Sequence, residues 1–185
     1  LEGHGREDLF DGVDLSRTVG WFTSLYPVLL ETGDGLEAGL KRVKETLRSI
    51  PRRGMGFGVL RYLTREPELS ARLKALPAPE VSFNYLGQVD HVLPEGSPLS
   101  LASEPVGPTA SARAPRAHLI DINAIVSQGR LQVFWTYSGS IHARETVEAL
   151  ARDFQHALRG LISRCSEEGV GGFTPSDFPL APLGQ

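Results

Sequence analysis

Two apolar segments, Leu119 to Val126 and Leu131 to Tyr137, stand either side of Gln128-Gly129 and leave little choice of fold. Each is apolar at nearly every position, with β-branched and aromatic types prominent, which reads as strand. A short polar connection holding a glycine joins them as a hairpin. Strands without a clear polar face need cover on both sides, so at least one lies inside a sheet. Residues 80–86, EVSFNYL, supply another strand. Residues 143–166 read as the longest helix, with Val147, Leu150, Phe154, Leu158, Leu161 and Cys165 along its inner face. Sheet plus amphipathic helix is an α/β arrangement, with helices packed on a mixed sheet of about five strands.

The N-terminal part is built of shorter pieces. Residues 18–30, TVGWFTSLYPVLL, read as extended structure interrupted at Pro27. Asp34 is placed to cap a helix, with Glu37 completing a capping-box-like pair. Leu36, Leu40, Val43, Leu47 and Ile50 then mark one helical face, and Pro51 ends it. Phe57 to Thr64 and Glu68 to Leu76 read as two further short helices. Between His91 and Ala117 proline, glycine, serine and alanine dominate, with Leu99 to Ala102 the one strand-like stretch. So long an irregular segment inside a domain is usually a functional loop or a crossing segment. The tail from Gly171 is punctuated by proline and reads as extended.

Composition limits function. A chain of 185 residues supports one domain with a real core. A formal net charge of −3 argues against a broad electrostatic grip on nucleic acid. No apolar run approaches membrane-spanning length and no signal peptide is visible, so no membrane partner is expected. Cys165 is the one cysteine, which rules out an intrachain disulfide and makes a reducing cytoplasm the simplest home. The histidines are scattered, without HExxH or paired cysteines, so neither a metal nor a bound cofactor is expected. There is no GxSxG. His118 and Asp121, three apart on a strand, are expected to face opposite ways. The cluster Gly54-Met-Gly-Phe-Gly58 follows a helix and a proline rather than a strand, which argues for a tight helix-to-helix turn over a phosphate loop.

Two stretches carry chemistry. Glu2-Gly-His-Gly-Arg-Glu7 sets ionisable groups between glycines, either as a solvated loop or as part of a site. Phe83-Asn-Tyr-Leu-Gly-Gln88 puts amides beside an aromatic hydroxyl within a strand, where Asn is disfavoured. Asn84 is there either for a site or because Gly87 marks a bulge.

Taken in order, these pieces resemble the epimerization domains of nonribosomal peptide synthetases, in the condensation-domain superfamily. Glu2 to Glu7 resembles EGHGRE. Arg17-Thr-Val-Gly-Trp-Phe-Thr23 with Tyr26-Pro27 resembles RTVGWFT…YP. Pro51-Arg-Arg-Gly-Met-Gly-Phe-Gly58 resembles PxxGxGYG, with Phe57 in place of tyrosine, and Phe83 to Gln88 resembles FNYLGQ. Thr174-Pro-Ser-Asp-Phe-Pro-Leu180 resembles the terminus common to condensation and epimerization domains.

The resemblance spans residues 1–185 and implies the C-terminal chloramphenicol-acetyltransferase-like lobe of a two-lobed domain. The chain begins inside a motif and without Met, as a fragment would. The partner lobe would carry HHxxxDG, a string this sequence lacks. Residues 91–117 would cross toward that lobe and floor the channel.

The implied reaction inverts Cα of an aminoacyl or peptidyl group, held as a thioester on the phosphopantetheine arm of a peptidyl carrier protein. Glu2 matches the family's channel carboxylate, and burial in a channel would raise its pKa. Asn84 and Tyr85 are candidates for polarising the thioester oxygen or orienting the carboxylate. Asn84 is expected toward the thioester, with Tyr85 either packing with its hydroxyl bonded or reaching the channel edge, and a bulge at Gly87 would let both approach the substrate. His4, Arg6 and Gln88 are supporting residues, and Trp21 and Phe22 are expected to pack. The lobe alone is expected to be inactive. A condensation-type acyltransferase and a non-catalytic interaction module are the alternatives.

Overall fold

The computed structural model describes residues 1–7, 10–31, 35–90, 97–98, 102, 104, 107, 111, 114–167 and 172–178. The expected cap Asp34, the strand-like Leu99 to Leu101, most of the segment 91–117 and the tail beyond 178 lie outside them. The chain divides into two compact units, residues 1–76 with 159–185, and residues 77–158.

The second unit holds the hairpin. Strands β3 (Val81–Gln88), β4 (Ile120–Ser127) and β5 (Arg130–Tyr137) form a three-stranded sheet in that order, β3 parallel to β4 and β4 antiparallel to β5. The hairpin turn is Gln128-Gly129, with φ of 54° and 66°. Positive φ at both central residues matches the right-handed twist of the strands, and glycine takes one of those positions without strain. Asp90, just beyond β3, closes the turn by accepting the Gln128 and Gly129 amides at 2.5 and 3.1 Å.

The central strand is buried on one face only. Ile120, Ile122 and Ala124 are buried, while Asp121, Asn123 and Ile125 between them are half-exposed. The buried face meets helix α4 (Arg144–Cys165), whose Phe154 packs against Phe83 and Trp135 at 6.1 Å each. Along α4 the covered positions are Val147, Ala149, Ala151, Phe154, Leu158 and Leu161, whereas Leu150 and Cys165 are exposed. Leu150 falls beside the stripe because a strict 3.6-residue period places Ala151, not Leu150, beneath Val147.

His118 and Asp121 do meet, contrary to expectation, with His118 Nδ1 3.2 Å from Asp121 Oδ1. β4 starts at Ile120, so His118 stands on the lead-in and escapes strand alternation. Arg116 completes the group, donating to Asp121 Oδ2 at 2.5 Å and to the Thr136 carbonyl at 2.9 Å.

In the first unit, β1 (Glu2–His4) and β2 (Thr23–Leu25) form an antiparallel ladder, pairing Glu2 with Leu25, Gly3 with Ser24 and His4 with Thr23. The sheet of about five strands is thus divided, three strands in one unit and two in the other. Residues 18–30 hold only the three-residue β2, since Gly20 and Pro27 bracket a short pairing segment. Helix α1 (Leu36–Arg48) is followed by a tight turn (Pro51–Gly54) with left-handed backbone at Arg52 and Arg53, then α2 (Met55–Leu63) and α3 (Pro67–Lys74). The tight turn therefore ends at Gly54, and Gly56 and Gly58 lie inside α2.

Near the C-terminus Thr174, 5% exposed, caps a 3₁₀ turn over Pro175–Asp177. Asp177 accepts from Lys44 at 2.5 Å and Arg48 at 2.6 Å, and Ser176 donates to Glu45 at 2.5 Å, so this turn is latched onto α1. The Lys44 bond, then the Thr174 amide and Arg48, hold the Asp177 carboxyl well below the usual carboxylate range. No helix among the described residues is long and apolar enough to cross a membrane.

Candidate active site

The first group of candidate residues sits on the β1–β2 ladder and the loop after it. Glu2 and His4 share one face of β1, two residues apart, which brings His4 Nε2 to 3.1 Å from Glu2 Oε1. The Glu2 side chain is 48% exposed, so the burial expected of it is not supplied within the described residues. Beyond His4 the ladder closes with the Gly5 amide donating to the Phe22 carbonyl at 3.1 Å. Arg6 donates to the Thr18 carbonyl at 2.6 Å and lies 4.5 Å above the Phe22 ring. A guanidinium both stacked on an aromatic face and hydrogen-bonded fixes a loop. Trp21 departs from the expected packing role: it lies ahead of β2, outside the paired segment, and is 89% exposed.

Three sequence motifs interlock here. The Tyr26 ring lies between Gly3 and Gly54. A Cβ on Gly54 would stand 2.0 Å from Tyr26 Cδ1, and one on Gly3 would stand 3.4 Å from Tyr26 Cε1. Ser24, opposite Gly3, donates its hydroxyl to the Arg53 carbonyl at 3.1 Å. Arg53 Nε reaches Glu7 Oε1 at 3.5 Å. Between ladder and turn lies a cavity of about 320 Å³, bordered by His4, Glu7, Leu15, Phe22, Arg53 and Met55.

Asn84, Tyr85 and Gln88 belong to the other unit, on β3, which pairs with β4 alone among the described strands. Phe83 faces α4, so alternation sends Tyr85 to that face and Asn84 to the opposite one, beside Asn123 of β4. Both are exposed. The register slips between Tyr85 and Gln88, and Gly87 has φ of 82°, so a bulge does interrupt the strand there. Gln88 Nε2 reaches Asp90 Oδ2 at 3.4 Å.

No sequence pattern singles out Arg53, Asp90 or Arg116. Asp90 and Arg116 stand outside every regular element, and Arg53 owes its place to a left-handed backbone that no side-chain pattern encodes.

Known proteins extend this picture. The family model described as the condensation domain matches residues 1–178. One of the linear gramicidin synthase subunits of Brevibacillus parabrevis is 51% identical over 187 residues, covering 100% of this chain and 2% of that protein. Chondramide synthase cmdD of Chondromyces crocatus is 45% identical over 186 residues, covering 100% of this chain and 5% of that protein. Among solved structures, the epimerization domain from the third module of tyrocidine synthetase B superposes with a TM-score of 0.71 at 37% identity. It covers 89% of this chain, which in turn spans 36% of that one.

Proposed function

The chain belongs to the condensation-domain family, and we propose that it forms part of an epimerization domain in a nonribosomal peptide synthetase. The observation that carries this reading is the likeness to the tyrocidine synthetase epimerization domain, at 37% identity over 89% of the chain. The EGHGRE-like and FNYLGQ-like segments agree with it.

The substrate is an aminoacyl or peptidyl thioester on the phosphopantetheine arm of a peptidyl carrier protein, in the cytoplasm. The thioester acidifies the Cα proton. Inversion breaks the Cα–H bond on one face, places the electron pair in an enolate-like system, and forms a new Cα–H bond on the other face. Glu2 is one of the two proton-transfer groups. The other is a histidine from the upstream lobe bearing HHxxxDG, and enclosure against that lobe would raise the Glu2 pKa. His4, 3.1 Å away, orients the Glu2 carboxylate. Arg6 fixes the loop, and Asn84, on the face of β3 away from α4, is assigned to polarising the thioester oxygen. Residues 91–117 form the crossing segment.

The test is Glu2→Gln in the complete parent synthetase, read by mass-spectrometric deuterium exchange at Cα of a carrier-bound substrate. Loss of one acid–base group lowers the rate about 10²–10⁴-fold. Near-normal exchange by a folded variant would assign the proton transfer elsewhere. The family's description as a condensation domain favours a second reading, peptide-bond formation. That reading requires product formation without Cα exchange in the same assay.

A further inference from the structure

Arg52 and Arg53 both adopt left-handed backbone, with φ of 47° and 48°. Such angles are unfavourable for residues other than glycine and persist where the surroundings over-determine them. At Arg53 the surroundings are visible. Its carbonyl accepts the Ser24 hydroxyl at 3.1 Å, fastening the turn to the strand opposite Gly3. Its guanidinium lies 3.5 Å from Glu7 and borders Gly5, where a Cβ would stand 3.1 Å from Nη1. One residue thus grips both strand β2, which pairs with the Glu2–His4 strand, and the loop that leaves it.

We propose that Arg53 is a positioning residue, whose guanidinium, through Glu7 and the face of Gly5, holds the Glu2–His4 strand in its working geometry. The inference rests on the epimerization reading. The side chain of Arg53 is 71% exposed, so its ion pair contributes little to global stability. Its effect belongs in the geometry of the loop, where a small misplacement of an acid–base group lowers turnover steeply. Glycine at position 53 accepts the same backbone angles and keeps the carbonyl that Ser24 bonds. Arg53→Gly therefore deletes the grip of the side chain and relieves the backbone strain at that position. Arg52→Gly makes the same backbone change and serves as its control.

The experiment uses the complete parent synthetase, with Arg53→Gly, Arg53→Lys, Arg52→Gly, Glu7→Gln and the Arg53→Gly/Glu7→Gln double variant. Two readouts are taken: Cα deuterium exchange of the carrier-bound substrate, and backbone amide exchange across residues 2–7. Arg53→Gly is expected to lower turnover about tenfold or more and to speed amide exchange at Gly5, a loss of rate that does not follow the melting midpoint, which Arg52→Gly shifts in the same direction through the same relief of backbone strain. Arg53→Lys should recover part of the rate, Arg52→Gly should match wild type in rate, and the double variant should be no slower than Arg53→Gly alone. Unchanged turnover or unchanged amide protection in Arg53→Gly overturns the proposal, as does an equal loss in Arg52→Gly. If the wild-type synthetase exchanges no Cα hydrogen, the epimerization reading fails, and amide protection alone decides for or against the Arg53 grip.

Discussion

Replacing Gly54 by alanine should be the most damaging single-methyl change in the first unit. Gly54 has φ of 77°, and the added Cβ would stand 2.0, 2.1 and 2.5 Å from Cδ1, Cγ and Cε1 of Tyr26. The left-handed angle costs a residue with a Cβ about 1–2 kcal/mol. The steric term is larger than usual because Cγ is the root of the ring. A rotation about χ2 cannot remove it, so the side chain must leave its rotamer or the backbone must shift. Overpacking of this kind costs about 1–3 kcal/mol. Together these predict about 2–5 kcal/mol. In urea that would lower the unfolding midpoint by about 1–2.5 M at an m-value near 2 kcal/mol/M.

Two other glycines separate the terms. Gly12 has φ of 80° and nothing within 4 Å of its Cβ position, so Gly12→Ala should show the backbone cost of about 1–2 kcal/mol alone. Gly56 lies in α2 with equally open space, and Gly56→Ala should stabilise by up to about 1 kcal/mol. In a Tyr26→Ala background, Gly54→Ala should fall to the Gly12 value, leaving a coupling of about 1–3 kcal/mol. Urea unfolding followed by far-ultraviolet circular dichroism measures all of these. Equal costs at Gly12 and Gly54, or a Gly54 cost that survives the loss of the Tyr26 ring, would refute the packing of that ring on Gly54.

Two further outcomes are expected. Because the folded Asp177 carboxyl is held below its unfolded value near 3.9, its contribution to stability is present above about pH 4 and is lost as pH falls toward the folded value. The midpoint difference between wild type and Asp177→Asn should thus be constant from about pH 5 to 7 and shrink below about pH 4, and a difference unchanged at about pH 3 would contradict the latch. In the complete synthetase, Asn84→Ala should impair Cα exchange with little loss of stability, while Tyr85→Phe should be milder. A fully active Asn84→Ala that melts markedly lower would make Asn84 a structural residue of β3, beside Asn123.

Much of the fold was legible because its signals were local. The apolar pair around Gln128-Gly129 could only be a hairpin, and Pro51 stopped α1 as its ring requires. What was not legible depended on partners distant in sequence. The grouping of the strands was not legible, because β1 and β2 pair with each other and nothing in their composition says so. Leu150 and Ala151 are indistinguishable to a coarse count of apolar residues, yet one is exposed and the other covered. The His118–Asp121 contact is hidden because the apolar run begins at Leu119, ahead of the first paired residue, and one position decides whether alternation applies.

The candidate site shows why its segments were readable as motifs although the arrangement joining them was not. Gly3, Tyr26 and Gly54 belong to three separate stretches of sequence, and each constrains the other two through one ring. A side chain at Gly54 displaces the ring, and one at Gly3 meets Ser24 Oγ at 3.0 Å as well. Packing around that one ring thus ties together small and aromatic residues from three stretches. Arg53 stands outside that logic. Its backbone could be served by glycine, and the contacts its guanidinium makes lie at Glu7 and Gly5, on the loop that follows Glu2.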